Sequence, residues 1–184
     1  MPKTALVPIA DGTEEIEAVT VIDVLRRAGV TVTVASVMDR AEIVASRGVR
    51  IVADRLVSGI ADQTFDLIVL PGGMPGAEHL RDHAALAGLL RRHAGENRLL
   101  GAICAAPTVV LEPGGFLENR EATAHPAFSD RLDPDRRSEA RVVADGHLIT
   151  SRGPGTALEF ALRLVAVLLG EAAARDVAGP MIAR

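Results

Sequence analysis

Cys104 is the only cysteine of the chain, and it stands where the apolar run Leu99-Leu100-Gly101-Ala102-Ile103 gives way to Ala105-Ala106-Pro107-Thr108-Val109-Val110-Leu111. The first run has the composition of a short buried strand. The second opens a helix, because Pro107 suits a first turn that needs no intrahelical N–H. A thiol at a strand-to-helix turn faces free N–H groups and the positive end of the helix dipole, which favours the thiolate, the nucleophilic form. A lone cysteine with no such company is an ordinary small core hydrophobe. Its company therefore decides the reading.

The strongest companion is Glu17. Turned at 100° per residue, a helix over 13–28 places Ala18, Val21, Val24, Leu25 and Ala28 on one arc, with Glu17 among them and Thr20, Asp23, Arg26 and Arg27 opposite. A carboxyl on a buried stripe is costly when charged, so it keeps a proton or shares one with a neighbour. Such a group can donate to a thiolate and then move protons as general acid and base. The alternative is a side chain that reaches solvent past the helix end. Glu14 shares the same general face, nearer the cap, where Asp11 and Glu14 read as a capping-box pair. The N–H groups of Gly72, Gly73 and Ala105 are candidate donors to an oxyanion on a carbonyl attacked by Cys104.

Other residues carry weaker signals. His125, in Ala124-His125-Pro126, follows a strand-like run and can approach the same rim. His79 and His83 have an i,i+4 spacing found in metal sites, but no third ligand accompanies them, and the face reads as solvated. His93 and His147 read as surface residues. Gly72-Gly73-Met74-Pro75-Gly76 completes no dinucleotide or phosphate-loop fingerprint. The expectation is no metal and no cofactor.

The elements that must position these residues alternate along the chain. Strand-like runs fall at 5–9, 30–37, 66–70 and 99–103, with one or two short ones in 42–54 and further ones at 120–124 and 141–150. Helical patterns fall at 13–28, at 76–94 in one or two pieces, after Cys104, and from about 156 to 169, closed by Gly170. Several strands are continuously apolar, which predicts a mostly parallel sheet covered by helices on both faces, an α/β fold. In such a sheet ligands bind beyond the carboxyl ends of the strands. Four strand ends carry unusual residues: Asp11-Gly12-Thr13-Glu14, Pro71-Gly72-Gly73, Cys104, and Ser151-Arg152-Gly153-Pro154. The stretch 128–140 reads as a surface loop, and residues 1–184 as one domain.

Composition narrows the function further. Aromatic residues make up 2% of the 184, with no Trp or Tyr, so base-stacking platforms are scarce. The net charge is −4 and no basic run stands out, which argues against a nucleic-acid partner. One cysteine excludes an internal disulfide. No apolar segment is long and clean enough to span a bilayer, since Arg163 interrupts 160–169. With no signal-like N-terminal stretch, the chain reads as a soluble cytoplasmic protein.

Taken in order, Ala5-Leu6-Val7 with Gly12-Thr13-Glu14-Glu15-Ile16-Glu17, Val69-Leu70-Pro71-Gly72-Gly73, Ala102-Ile103-Cys104-Ala105-Ala106-Pro107, and Thr150-Ser151-Arg152-Gly153-Pro154-Gly155-Thr156 resemble the DJ-one/PfpI/ThiJ family over essentially the whole chain. The likeness is greatest to its DJ-one (parkinsonism-associated deglycase) and bacterial YajL-like branch. It implies a flavodoxin-like, doubly wound fold of the class I glutamine amidotransferase type, with Cys104 at a nucleophile elbow. It implies that Glu17 hydrogen-bonds the thiol, that His125 lies near the pocket, and that Gly73 and Ala105 supply backbone donors. It also implies a homodimer, with Arg27, Arg47 and Pro154 near the interface and the last two around the partner's pocket; Arg152 falls beside them.

Two departures matter. Position 105 is Ala where the protease-like branch carries His, which disfavours a Cys-His peptidase. Ala45 and Val52 replace the other cysteines of the animal protein, so redox roles of those thiols do not carry over. The resemblance then implies a cysteine-dependent, cofactor-independent glyoxalase or deglycase, acting on methylglyoxal or glycated adducts and releasing lactate. The alternative is an oxidative-stress sensor or redox-regulated chaperone that uses the same oxidisable cysteine. A third reading is a noncatalytic domain with a structural cysteine.

Overall fold

The computed structural model describes residues 1–183. Its centre is a seven-stranded sheet in the order β5-β2-β1-β6-β7-β9-β8. The strands are β1 (Thr4–Ile9), β2 (Thr31–Ser36), β5 (Arg55–Leu56), β6 (Leu67–Leu70), β7 (Leu99–Ile103), β8 (Val142–Asp145) and β9 (Leu148–Ser151). All neighbours run parallel except β8 and β9, which form an edge hairpin turning at Gly146. Strands β3 (Glu42–Val44) and β4 (Arg50–Val52) pair with each other as a separate antiparallel hairpin.

Continuous apolar runs are required because both faces of the sheet are covered. Ala5, Val7, Ile9, Leu67, Val69 and Ile103 enter one core, whereas Leu6, Ile68, Leu70, Leu100 and Ala102 enter the other. The first core is closed by α1 (Glu15–Arg27), α4 (Ala157–Leu169) and α5 (Glu171–Ala178), with Phe160 fully buried at its centre. The second is closed by α2 (Gly76–Asp82), α3 (Ala84–Gly95) and the π-helical turn Pro107–Leu111. Gly101 lets the first layer sit close: a Cβ there would lie 3.0 Å from Leu164 Cδ2 and 3.2 Å from Phe160 Cζ.

The chain leaves β1 toward β2 and later returns to place β6 on β1's other side. β1 and β6 therefore flank the point where the strand order reverses, and it is beyond the carboxyl ends at such a point that sheets of this kind bind ligands.

Several local readings need correction. The segment 120–124 is not a strand; it makes one bridge, Ala122 to Arg137, and the Thr123 N–H donates to the Thr150 side chain rather than to a strand carbonyl. The segment after Cys104 winds as a π-helical turn and ends by Glu112. Helix α1 is capped by Glu14 itself, whose carboxylate accepts from Glu17 N, while Asp11 accepts from Val44 N and pairs with Arg40. Gly12, at φ +80°, turns the chain between them. His93 is buried, its Nε2 2.7 Å from the Leu99 carbonyl oxygen, because α3 lays it over the start of β7. Helix α5 had no counterpart in the sequence reading.

Candidate active site

Cys104 follows β7 with φ +65°, the left-handed region that a side-chain-bearing residue enters at a cost of about 1–3 kcal/mol. The conformation is held from both sides. Cys104 N–H donates to the Ser151 carbonyl at 3.0 Å, and its own carbonyl accepts from His125 N–H at 2.9 Å. The sharp turn carries the side chain off the sheet into the first core, where the residue is 7% exposed.

Glu17 reaches the same point from α1 and is fully buried. Its Oε2 accepts from Gly72 N–H at 2.8 Å. Its Oε1 is buried without an N–H or O–H partner, and the group beside the carboxyl is the Cys104 thiol, close enough for the two ionisations to be coupled. Gly72 fits between them only because it lacks a side chain. A Cβ at Gly72 would stand 2.6 Å from Cys104 Cβ and 3.0 Å from both Ala105 N and Glu17 Oε2.

Burial raises Glu17 to about 7; the Gly72 and Cys104 contacts oppose the shift and the charge of Glu14 adds to it. Burial likewise pushes the Cys104 thiol up to about 12, helped by the neighbouring carboxylate and opposed by the N–H groups of Gly73 and Ala105. The expectation of a thiol lowered by a helix dipole is therefore not met. The helical segment behind it is one short turn, and burial outweighs two amides. Above about pH 7 the carboxyl is ionised while the thiol keeps its proton, so the coupled pair then holds one proton.

Comparison with known proteins identifies the family. The DJ-1/PfpI family profile matches residues 3–167. The chain belongs to the DJ-1/PfpI family. It is 46% identical over 183 residues to Protein DJ-1 homolog B of Arabidopsis thaliana, covering 99% of this chain but only 42% of that longer relative. It is 35% identical to glutathione-independent glyoxalase DJR-1.2 of Caenorhabditis elegans, over 97% of this chain and 96% of the relative. The solved structure of Toxoplasma gondii DJ-1, described as oxidized, superimposes with a TM-score of 0.97 at 46% identity, over 98% of each chain. The flavodoxin-like architecture of the family is thus the architecture of this chain.

In this DJ-1/PfpI chain the other named residues divide. Gly73 and Ala105 present their N–H groups to the sulfur, but Gly72 is not a free donor, since its N–H is spent on Glu17. His125 lies at the rim: its Nδ1 accepts from Ala127 N–H, and its ring packs against Gly153 and edge-on to Phe128. Phe128 was not anticipated; a phenylalanine three residues after a candidate histidine, among only four in the chain, was the available signal. Glu14 caps α1 beside Glu17.

The remaining arginines keep to the periphery. Arg27 pairs with Asp23, and Arg152 pairs with Glu139. Arg47 N–H and the Ser46 hydroxyl both donate to Glu15, which ties the β3–β4 hairpin to the first turn of α1. Pro154 opens the short turn that leads into α4. His83 caps α3 through Nδ1, so it does not share one helix face with His79.

The raised value of Glu17 has a thermodynamic consequence. A carboxyl near 7 when folded and about 4.5 when unfolded gives stability that is complete below 4.5 and is lost as pH rises through 7. Glu17→Gln keeps an acceptor for Gly72 and removes the titration. Its stability relative to wild type, from urea unfolding at pH 4.5 and pH 8, is expected to improve by up to about 3 kcal/mol across that window. A difference that stays constant with pH would show that Glu17 titrates normally.

Proposed function

We propose that this chain is a cysteine-dependent, cofactor-independent enzyme that converts 2-oxoaldehydes such as methylglyoxal, or their adducts, to 2-hydroxy acids, as a glyoxalase or deglycase does. The observation that carries the reading is the Cys104–Glu17 pair, a buried thiol beside a buried carboxyl whose ionisations are coupled. The name of the C. elegans relative supports the same class of reaction.

Each step is served by residues of this chain. Glu17 takes the thiol proton, and the sulfur adds to the aldehyde carbon, sending the carbonyl electron pair to oxygen. Glu17 returns the proton to that oxygen, giving a hemithioacetal. The Glu17 carboxylate then removes the hydrogen on the former aldehyde carbon, and the enediol is reprotonated on the adjacent carbon. This leaves a 2-hydroxyacyl thioester on Cys104. Water attacks the thioester, sulfur departs, and the acid is released; the net change is the addition of one water. The Gly73 and Ala105 amides stabilise negative charge on sulfur and, after addition, on the neighbouring oxygen. His125, with Nδ1 engaged, presents Nε2 at the rim for substrate or water.

A second reading uses the same atoms. A sulfinate on Cys104 would meet two amide N–H groups and a protonated Glu17, and the similarity to an oxidized DJ-1 supports it. Homodimer assembly fits both readings. Ile16 and Val19 on α1 and Val49 and Val52 on the hairpin are exposed large apolar residues, and Glu15 fastens these two elements together.

The purified protein is expected to form lactate from methylglyoxal without glutathione. Cys104→Ser and Glu17→Ala should each lower the rate by about 100-fold or more; undiminished turnover in Cys104→Ser would refute the mechanism. Mild peroxide should add two oxygens to the intact mass of wild type and none to Cys104→Ser, and an unmodified wild-type mass would remove the sensor reading. Sedimentation should show twice the chain mass, falling to one in Val19→Asp; a monomeric wild type would remove the assembly.

A further inference from the structure

Three hydrogen bonds around Glu17 form a closed circuit. Gly72 N–H donates to Glu17 Oε2 at 2.8 Å, Glu17 N–H donates to Glu14 Oε2 at 2.9 Å, and Glu14 N–H donates to the Gly72 carbonyl at 2.9 Å. Gly72 opens the circuit through its N–H and closes it through its carbonyl, on the next peptide group. Turning the Glu14 side chain releases the backbone N–H of Glu17, turning the Glu17 side chain releases Gly72 N–H, and moving the Gly72–Gly73 turn disturbs the bonds to both glutamates. We propose that Glu14 is a positioning residue of this site, which through this circuit fixes the Glu17 carboxyl beside Cys104 and aims the Gly73 amide at the sulfur.

The surroundings leave Glu14 no other structural duty of comparable reach. Its residue is 9% exposed, and its carboxylate supplies the only side-chain cap of α1. Its neighbours along the chain are committed elsewhere: Asp11 to Val44 and Arg40, Glu15 to Ser46 and Arg47. The approach is also tight at the glycines. A Cβ on Gly73 would stand 2.4 Å from Glu14 N, so the turn rests directly on the start of α1. The circuit thus couples the carboxyl ends of β1 and β6, which the sheet alone holds only by backbone pairing at Ala5–Leu67 and Leu6–Ile68.

Charge adds to position. The elements packed against Glu17 bring three groups to its carboxyl: Glu14 from its own helix, Cys104 from the elbow, and the neutral amide of Gly72 from the turn. Glu14 is the one whose charge raises the proton affinity of Glu17 without sharing the proton. His125 is turned to Ala127, Gly153 and Phe128 and does not enter this set. A positioning residue of this kind is expected to act on when the pair exchanges its proton as well as on where the pair sits.

The inference rests on the reading of Cys104 and Glu17 as the reacting pair, and its test does not require turnover. The probe is iodoacetamide, with the rate of Cys104 alkylation followed from pH 5 to 9. In wild type the rate should rise through an inflection near 7, as Glu17 becomes free to accept the thiol proton. Glu14→Gln keeps an acceptor for Glu17 N–H and removes the charge, so its inflection should fall by about 0.5–1 pH unit. Glu14→Ala removes the acceptor as well, and its limiting rate should fall by about tenfold. An inflection in Glu14→Gln that coincides with wild type would overturn the proposal, as would a Glu14→Ala limiting rate equal to wild type. Should Glu14→Ala fail to fold, the near-isosteric Glu14→Gln decides alone. If the profile moves as expected while no lactate is formed, the positioning role stands and the glyoxalase reading falls; lactate with an unmoved profile gives the reverse.

Discussion

A buried carboxyl and a buried thiol stand side by side, and most of what is distinctive in this structure follows from keeping them there. Each group is costly to ionise where it sits, since burial is the largest influence on both. A charge on the carboxyl further resists a charge on the sulfur, so the two ionisations are coupled. That arrangement needs an exact approach of three chain segments. Gly72 must be glycine because a side chain would strike Cys104 Cβ, and Cys104 must adopt φ +65° to leave the strand at that angle. The bonds to Ser151 and His125 on either side of Cys104 show how the strained residue is held.

The sheet supplies the rigidity on which this depends. β1, β6 and β7 lie side by side in its middle, each buried on both faces by aliphatic side chains, so their carboxyl ends cannot drift relative to one another. Helix α1 packs on α4 across the first core, which orients the helix that carries Glu17. The β3–β4 hairpin contributes nothing to the sheet. It is fastened to the rim by Asp11 and Glu15, and so builds a wall beside the site from residues whose sequence signal is only that of two short strands.

How much of this was legible beforehand depends on range. The strands at 5–9, 66–70 and 99–103 and the helices at 13–28 and 156–169 were visible, because burial on two faces or one stripe writes a periodic pattern. Glu17 was visible for the same reason, as a polar residue on an apolar arc. The burial of His93 was not, since it depends on where α3 lies over β7, and no local pattern records that. The segment 120–124 has strand composition but pairs only at Ala122 with Arg137, a tertiary fact. The role of Gly72 was misassigned because Pro-Gly-Gly looks the same whether an amide points at a ligand or at a carboxyl 55 positions away. The sign of the thiol shift was missed through weighing a local dipole without the depth at which the sulfur sits.

That depth bears on reactivity in a way opposite to first impression. Among thiolates, nucleophilicity increases with the basicity of the sulfur, so an anion formed at a high-affinity thiol attacks more strongly than one formed at an acidic thiol. The usual penalty is scarcity of the anion; in the proposed reaction Glu17 would give the thiol proton an acceptor at hand, without release to water. The second penalty is that a basic sulfur is a poor leaving group when a thioester must be cleaved. In the proposed reaction the same carboxyl would meet this demand by delivering the proton back as the carbon–sulfur bond breaks. A thiol lowered by a strong helix dipole would ease the first step and weaken the attack; a buried thiol with a buried carboxyl keeps the attack strong and makes both steps depend on one side chain. The fold therefore places its precision in Glu17 more than in the nucleophile itself.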